Sequence, residues 1–174
     1  MQTTKVVITG PSGSGKSTLI RTIRDNEVVV SHMDGTVTMT HRTPNPHEMV
    51  NFGRLTIEPD ESVCYLFEAS GSNRFSDPWQ VMAEGALGAV VVVDSTAPGT
   101  FREVRQYVQW FGQFADVVVA ANRQDQPGAV PPADMQILLG VDVPVLPCIA
   151  YNRASVKNVL LAVCHHALRY IERR

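Results

Sequence analysis

Long hydrophobic runs are missing from this sequence: no apolar stretch approaches the ~18 residues that a bilayer-spanning helix needs. Cysteine is scarce. Cys64, Cys148 and Cys164 are an odd number without metal-site spacing, each set among apolar neighbours, so buried reduced thiols are expected. Charge of one sign is not in excess either: 15 Lys and Arg stand against 17 Asp and Glu, a formal net charge of −2. That balance argues against a nucleic-acid-binding surface and against electrostatic docking on acidic membranes. The start, Met1-Gln2-Thr3-Thr4-Lys5, lacks the apolar run of a secretory leader and the glycine of a myristoylation signal. The end, Ile171-Glu172-Arg173-Arg174, carries no prenylation cysteine. Together these absences lead to the expectation of a cytoplasmic protein with no direct membrane anchor and no nucleic-acid partner.

What is present is an ordinary globular composition, 44% hydrophobic and 18% charged, in a chain of 174 residues. That length suits one domain over 1–174 with one core. Short β-branched runs alternate with helical patterns. Lys5–Thr9, Val63–Glu68, Ala89–Asp94, Asp116–Ala121 and Val143–Ile149 are nearly continuous in apolar character, as parallel strands covered on both faces must be. Gly53–Glu58 alternates instead and reads as an antiparallel edge strand. Helices are expected at Lys16–Arg24, Asp77–Glu84, Phe101–Phe111 and Ala154–Arg173. Strand and helix alternating in this order imply a three-layer, doubly wound α/β domain with a mostly parallel sheet. Residues 31–51 break the pattern with His32, His41, His47, Pro44 and Pro46 and read as a long loop. The histidine spacings fit no standard metal site, so a solvated loop is expected there. Residues 124–132 read as loop punctuation.

Gly10-Pro11-Ser12-Gly13-Ser14-Gly15-Lys16-Ser17 fits G-x-x-x-x-G-K-[ST] at every fixed position. The frame is also right, with Val6-Val7-Ile8 supplying a strand before it and a helical pattern after it. The residue types follow from the chemistry of a polyphosphate. Backbone amides across Gly10, Ser12, Gly13 and Ser14 must turn inward around phosphate oxygens, which glycine permits. The helix start at Gly15, Lys16, Ser17 and Thr18 offers unpaired amides and a positive dipole end. Lys16 would bridge β- and γ-oxygens, and the Ser17 hydroxyl would ligate magnesium.

Asn122-Arg123-Gln124-Asp125 follows the carboxyl end of an apolar strand and resembles the N-K-x-D guanine motif of Ras-like GTPases, with arginine in the lysine position. The resemblance implies that Asp125 accepts from guanine N1 and N2, that Asn122 braces the loop, and that the stem of Arg123 lies over the purine. Pro147-Cys148-Ile149-Ala150 stands where such proteins carry S-A-K, which would aim the Ala150 amide at guanine O6, although Cys148 and Ile149 depart from the serine. Leu66–Phe75 is similar to a second switch segment, and Ala86–Ser95 to the strand that follows it. Over nearly its whole length the chain therefore resembles a bacterial Ras/Arf-type small GTPase of the group associated with roadblock/LC7 proteins, which includes gliding-motility, polarity and conservon switches. The resemblance implies P-loop NTPase architecture with small-GTPase topology, GTP or GDP with magnesium as ligands, and a roadblock/LC7-type partner.

The departures bear on turnover. Glu68 stands where the family's D-x-x-G aspartate would serve magnesium; Gly71 is in place, but Ser72 occupies the position of the water-orienting glutamine. In the first switch, counting back from Asn51-Phe52-Gly53 lands near Pro46 or His47, which cannot replace the family's magnesium-ligating threonine. A second register, with a few inserted residues, uses Arg42 as a built-in arginine finger and Thr43 as the magnesium ligand; the alternative is that both are loop residues. Three functions stay in view: a switch with slow or partner-dependent GTP hydrolysis, a pseudo-GTPase that holds nucleotide without turnover, and a P-loop kinase or ATPase. Phe75, Pro78 and Trp79 form either an apolar partner surface or the packing of a helix onto the sheet.

Overall fold

Valine-rich runs build the sheet. The computed structural model describes residues 3–24, 28–31, 37–40, 52–57, 62–69, 75 and 77–171. β1 (Thr3–Thr9) leads through the glycine-rich turn into α1 (Lys16–Ile23). β2 (Val28–Ser31) and β3 (Val37–Thr40) pair antiparallel as a separate two-stranded sheet. β4 (Phe52–Ile57), β5 (Ser62–Ala69), α2 (Asp77–Ala83), β6 (Gly88–Asp94), α3 (Phe101–Phe111) and β7 (Asp116–Asn122) follow, then α4 (Pro132–Leu139), β8 (Val145–Pro147) and α5 (Arg153–Ile171). The main sheet has the order β4-β5-β1-β6-β7-β8, with β4 antiparallel to β5 and every other pairing parallel.

Period-two alternation divides each strand between two apolar layers. Val6 and Ile8 of β1, with Val90 and Val92 of β6, face Leu19, Ile20 and Ile23 of α1 and Val156, Val159 and Val163 of α5. Val7, Val91 and Val93 face the other way, toward Trp79, Phe101, Val104, Tyr107 and Phe111 of α2 and α3 and Met135 and Leu139 of α4. Each such fully buried side chain stabilises the fold by roughly 1.5–3 kcal/mol. This is the expected three-layer α/β arrangement. β1, β5, β6, β7 and β8 run in one direction, so Thr9, Ala69, Asp94, Asn122 and Pro147 end at one rim of the sheet. Ligand loops of open α/β sheets gather at that rim.

Three expectations need correction. The stretch 31–51 is not loop throughout, because β3 lies inside it, and β2 had no counterpart in the expected strands. α4 occupies residues left without an element: Pro132 opens it at the first helical position and Gly140, at φ 59°, closes it. The last strand is three residues, not seven: Pro144 precedes it and Pro147 is its last residue, and proline donates nothing to a ladder.

Candidate functional site

The turn between β1 and α1 is shaped by glycines whose backbone angles and close neighbours leave a side chain strained. Gly10 has φ 132°, and a Cβ there would lie 2.2 Å from the Val92 carbonyl oxygen of β6. Gly15, the residue before α1, has φ 106°, and a Cβ on it would lie 2.3 Å from Asn122 Nδ2. Lys16 then points back into the turn it follows. Its Nζ donates to the carbonyls of Gly10 and Pro11, both at 2.8 Å, and the residue is buried. Burial holds the ammonium below the usual lysine range, partly offset by the carboxylates of Glu68 and Glu103. Two of its three N–H donors are engaged in this way.

A cavity of about 870 Å³ opens over this turn, a volume within the range of small-molecule sites. Gly10, Pro11, Ser12, Gly13, Gly15, Lys16, Ser17 and Thr18 form its floor. Arg21, Glu68 and Arg123 line it as well, and Thr100, Glu103 and Tyr107 supply a wall at the start of α3. Ser14 is not part of the lining. Its side chain is buried with an unpartnered Oγ, and its carbonyl accepts from Asn122 Nδ2 at 2.9 Å, so it serves through its backbone. Glu103 and Tyr107 carried no local motif; Tyr107 donates its hydroxyl to Glu103 Oε1 at 3.2 Å.

Ser17 Oγ donates to both oxygens of Glu68, at 3.2 and 3.0 Å. The extra methylene of a glutamate thus carries its carboxylate to the serine itself from the end of β5. Magnesium takes hard oxygen donors and keeps several waters. A serine hydroxyl and a buried carboxylate converging at a helix start fit that ion.

The expected base-reading residues meet the phosphate loop through Asn122. Its Nδ2 donates to Ser14 O across 108 residues of sequence, and its Oδ1 accepts from the Ala150 amide at 2.8 Å. The Ala150 amide, expected to face guanine O6, thus donates to Asn122 in this structure. Arg123, at φ 67°, donates from Nη2 to Gly13 O at 3.1 Å and pairs through Nε with Asp94 Oδ2 at 3.3 Å. Gln124 fastens the same loop to Ser95 Oγ and Val130 O, at 2.8 and 3.0 Å. Asp125 is exposed, and its Oδ2 accepts from the Tyr151 hydroxyl and from Gln126 Nε2. The Tyr151 bond, before all else, holds the Asp125 carboxyl below its usual range. Tyr151 was absent from the expected site; only its place directly after Ala150 could have pointed to it.

Arg42, Thr43, Gly71 and Ser72 lie outside the described residues, as do His32, His41 and His47. Among the described residues no group of three or more His, Cys, Asp or Glu is placed to hold a metal. Trp79 is buried at 3% exposure and packs α2 onto the sheet, whereas Phe75 and Pro78 are exposed. Phe75 rests on Trp79, Tyr107 and Trp110, with ring centroids 5.7, 5.6 and 5.6 Å away. Among the described residues no helix is long and apolar enough to cross a membrane.

No protein-family model matches the chain. It is similar to the Ras-related protein RABA5d of Arabidopsis thaliana, 29% identical over 116 residues that make up 67% of this chain and 48% of that protein. The Ras-related protein RabC of Dictyostelium discoideum is 26% identical over 129 residues, 70% of this chain and 60% of the relative. The ADP-ribosylation factor-like protein 6 of Caenorhabditis elegans is 21% identical over 145 residues, 79% of this chain and 70% of the relative. Its distant relatives are Ras-, Rab- and Arf-like. The sheet order, with a phosphate-type loop after β1, has the matching small-GTPase P-loop topology. The chain spans 48% and 60% of the two Ras-related proteins, roughly half their length.

Proposed function

We propose that this chain is a small GTP-binding switch protein that holds GTP or GDP with magnesium and hydrolyses GTP slowly or only with a partner. The observation that carries the reading is the Asn122 side chain, which ties Ser14 of the phosphate loop to Ala150 and sits three residues before Asp125. This supports a reading in which the loop at Ser14 cradles phosphates and Asp125, at the same rim of the sheet, would read the N1 and N2 edge of guanine. Similarity to Ras-related and ADP-ribosylation-factor-like proteins supports a regulatory GTP-binding role. Lys16 would neutralise phosphate oxygens, and Ser17 with Glu68 would hold the metal, which supplies charge neutralisation across the phosphates when bound. The narrower kinship with roadblock-associated bacterial switches, a roadblock/LC7-type partner and a cytoplasmic location belong to the same proposal.

The pseudo-GTPase reading is favoured by Ser72, which is too short to orient water from the glutamine position. The kinase or ATPase reading has less behind it. It would need a second carboxylate near the phosphates, and Asp94 at the end of β6 is bound to Arg123 and to the Thr96 amide and hydroxyl, at 2.9 and 2.7 Å for the latter two. Chromatography of nucleotide released from the purified protein, followed by calorimetry with GTP and ATP, tests the proposal. Guanine nucleotide should be recovered and preferred; equal affinity for ATP and GTP would overturn the guanine assignment.

A further inference from the structure

We infer that Tyr151 is a positioning residue for guanine selectivity, acting by holding Asp125 in its base-reading orientation. The inference rests on the proposed guanine-reading role of Asp125. Asp125 sits on an exposed loop, and its carboxylate has two partners: the Tyr151 hydroxyl and the neighbouring Gln126 amide, the latter at 2.9 Å. Gln126 is exposed and belongs to the same loop, so its bond does not tie the carboxylate to another element. Tyr151 does, and the backbone on both sides of it is fastened. The Ala150 amide donates to Asn122 Oδ1 at 2.8 Å, and the Ile149 amide donates to Ser155 Oγ at 2.9 Å. On the other side, the Asn152 amide donates to Ile149 O at 2.8 Å, and Asn152 Oδ1 accepts from the Ser155 amide at 3.0 Å, capping α5.

The phenol thus reaches the carboxylate from a separate hydrogen-bonded turn, 26 residues away in sequence. Both side-chain bonds fall on Oδ2, so neither occupies Oδ1. A carboxylate has about four acceptor sites, so a phenol on one oxygen is compatible with two further donors from a base edge. Tyr151 is 66% exposed, so its ring contributes little to the core and its hydroxyl can be removed without a packing penalty.

The test is calorimetric titration of the full chain and of Tyr151→Phe with GDP, IDP and ADP in magnesium buffer. IDP lacks the 2-amino group, so the GDP-to-IDP ratio reports how well the carboxylate meets both donors. Tyr151→Phe is expected to keep the melting temperature and the ADP affinity, to lose on the order of tenfold in GDP affinity, and to narrow the GDP-to-IDP ratio. If the parent prefers GDP to ADP but the variant matches it in both GDP affinity and that ratio, the positioning role is overturned while the guanine reading stands. A gain in GDP affinity would likewise overturn it, showing that the phenol competes with the base. A parent that does not prefer GDP to ADP overturns the guanine reading and this inference together.

Discussion

Replacing Gly15 by alanine should damage the protein through Asn122, and the damage should shrink when Asn122 is already gone. Alanine at φ 106° is strained by itself, by about 1–2 kcal/mol for a left-handed non-glycine residue. Its Cβ would also lie 2.3 Å from Asn122 Nδ2 and force that side chain away. The displaced amide forfeits its bonds to Ser14 O and the Ala150 amide, each worth about 1 kcal/mol net. Gly15→Ala should therefore cost about 3–4 kcal/mol, lowering the melting temperature by about 6–16 °C in a domain of this size. Asn122→Ala removes the same two bonds and, on the same value of about 1 kcal/mol each, should cost about 2 kcal/mol. In that background the next contacts of the new Cβ are ordinary ones, including Ala150 Cβ at 3.6 Å. Only the dihedral strain of about 1–2 kcal/mol then remains for Gly15→Ala. The cycle, measured by urea denaturation of the nucleotide-free protein and both single and double variants, should close with a coupling of about 2 kcal/mol in favour of the double variant. Additivity within about 0.5 kcal/mol would show that Asn122 is not the element the glycine protects.

Lys16→Ala should leave the fold intact by circular dichroism and weaken GTP by about a hundredfold or more, since two charge-assisted contacts of about 1.5–3 kcal/mol each are removed; binding as tight as the parent's would reduce the loop to a structural turn. Burial pushes the Cys64 and Cys148 thiols up to about 11 and raises Cys164 as well. Thiolate is then scarce at neutral pH, and maleimide labelling of the native protein should be slow and climb about tenfold per pH unit below that value. Rapid stoichiometric labelling at pH 7 would contradict the packing. Single-turnover phosphate release from pre-bound GTP should take hours, because an arginine finger alone is worth on the order of 10³–10⁵ in rate. Release within minutes that collapses in Arg42→Ala would assign that role to Arg42; release within minutes that survives it would show another group orienting water.

What was legible in the sequence was whatever local spacing encodes. The phosphate loop is a run of eight residues between a strand and a helix, and its glycines, lysine and serine sit where the motif requires. The strands β1, β5, β6 and β7 were readable because burial on both faces leaves near-continuous apolar runs. α4 was not, because its apolar residues do not share one face: Met135 and Leu139 are buried while Ile137 and Leu138 are exposed at 79% and 55%. Contacts between distant segments were equally out of reach. Glu68 was recognisable as the acidic residue of its segment, but not its bond to Ser17, 51 residues away. Asn122 was placed as a brace, yet its capture of the Ala150 amide depends on how β7 and the turn after β8 sit side by side. Tyr151 and Glu103 belong to no local pattern and acquire meaning only from what the fold brings beside them.

Tyr107 stands between two neighbourhoods. It lines the cavity over the phosphate loop and bonds Glu103 there, while its ring lies 5.7 Å from Trp79 and 5.6 Å from Phe75. Trp110 joins the same aromatic group, 6.1 Å from Trp79, so both tryptophans of the chain share it. The protein accordingly carries an internal optical reporter. A ligand that shifts Tyr107 or Phe75 would change the surroundings of both indoles at once, so the intrinsic emission should report occupancy of the cavity without a label. Placing Phe75 on the same stack makes that emission sensitive to the segment before α2 as well, so one signal follows the cavity and its neighbouring strand-to-helix connection together.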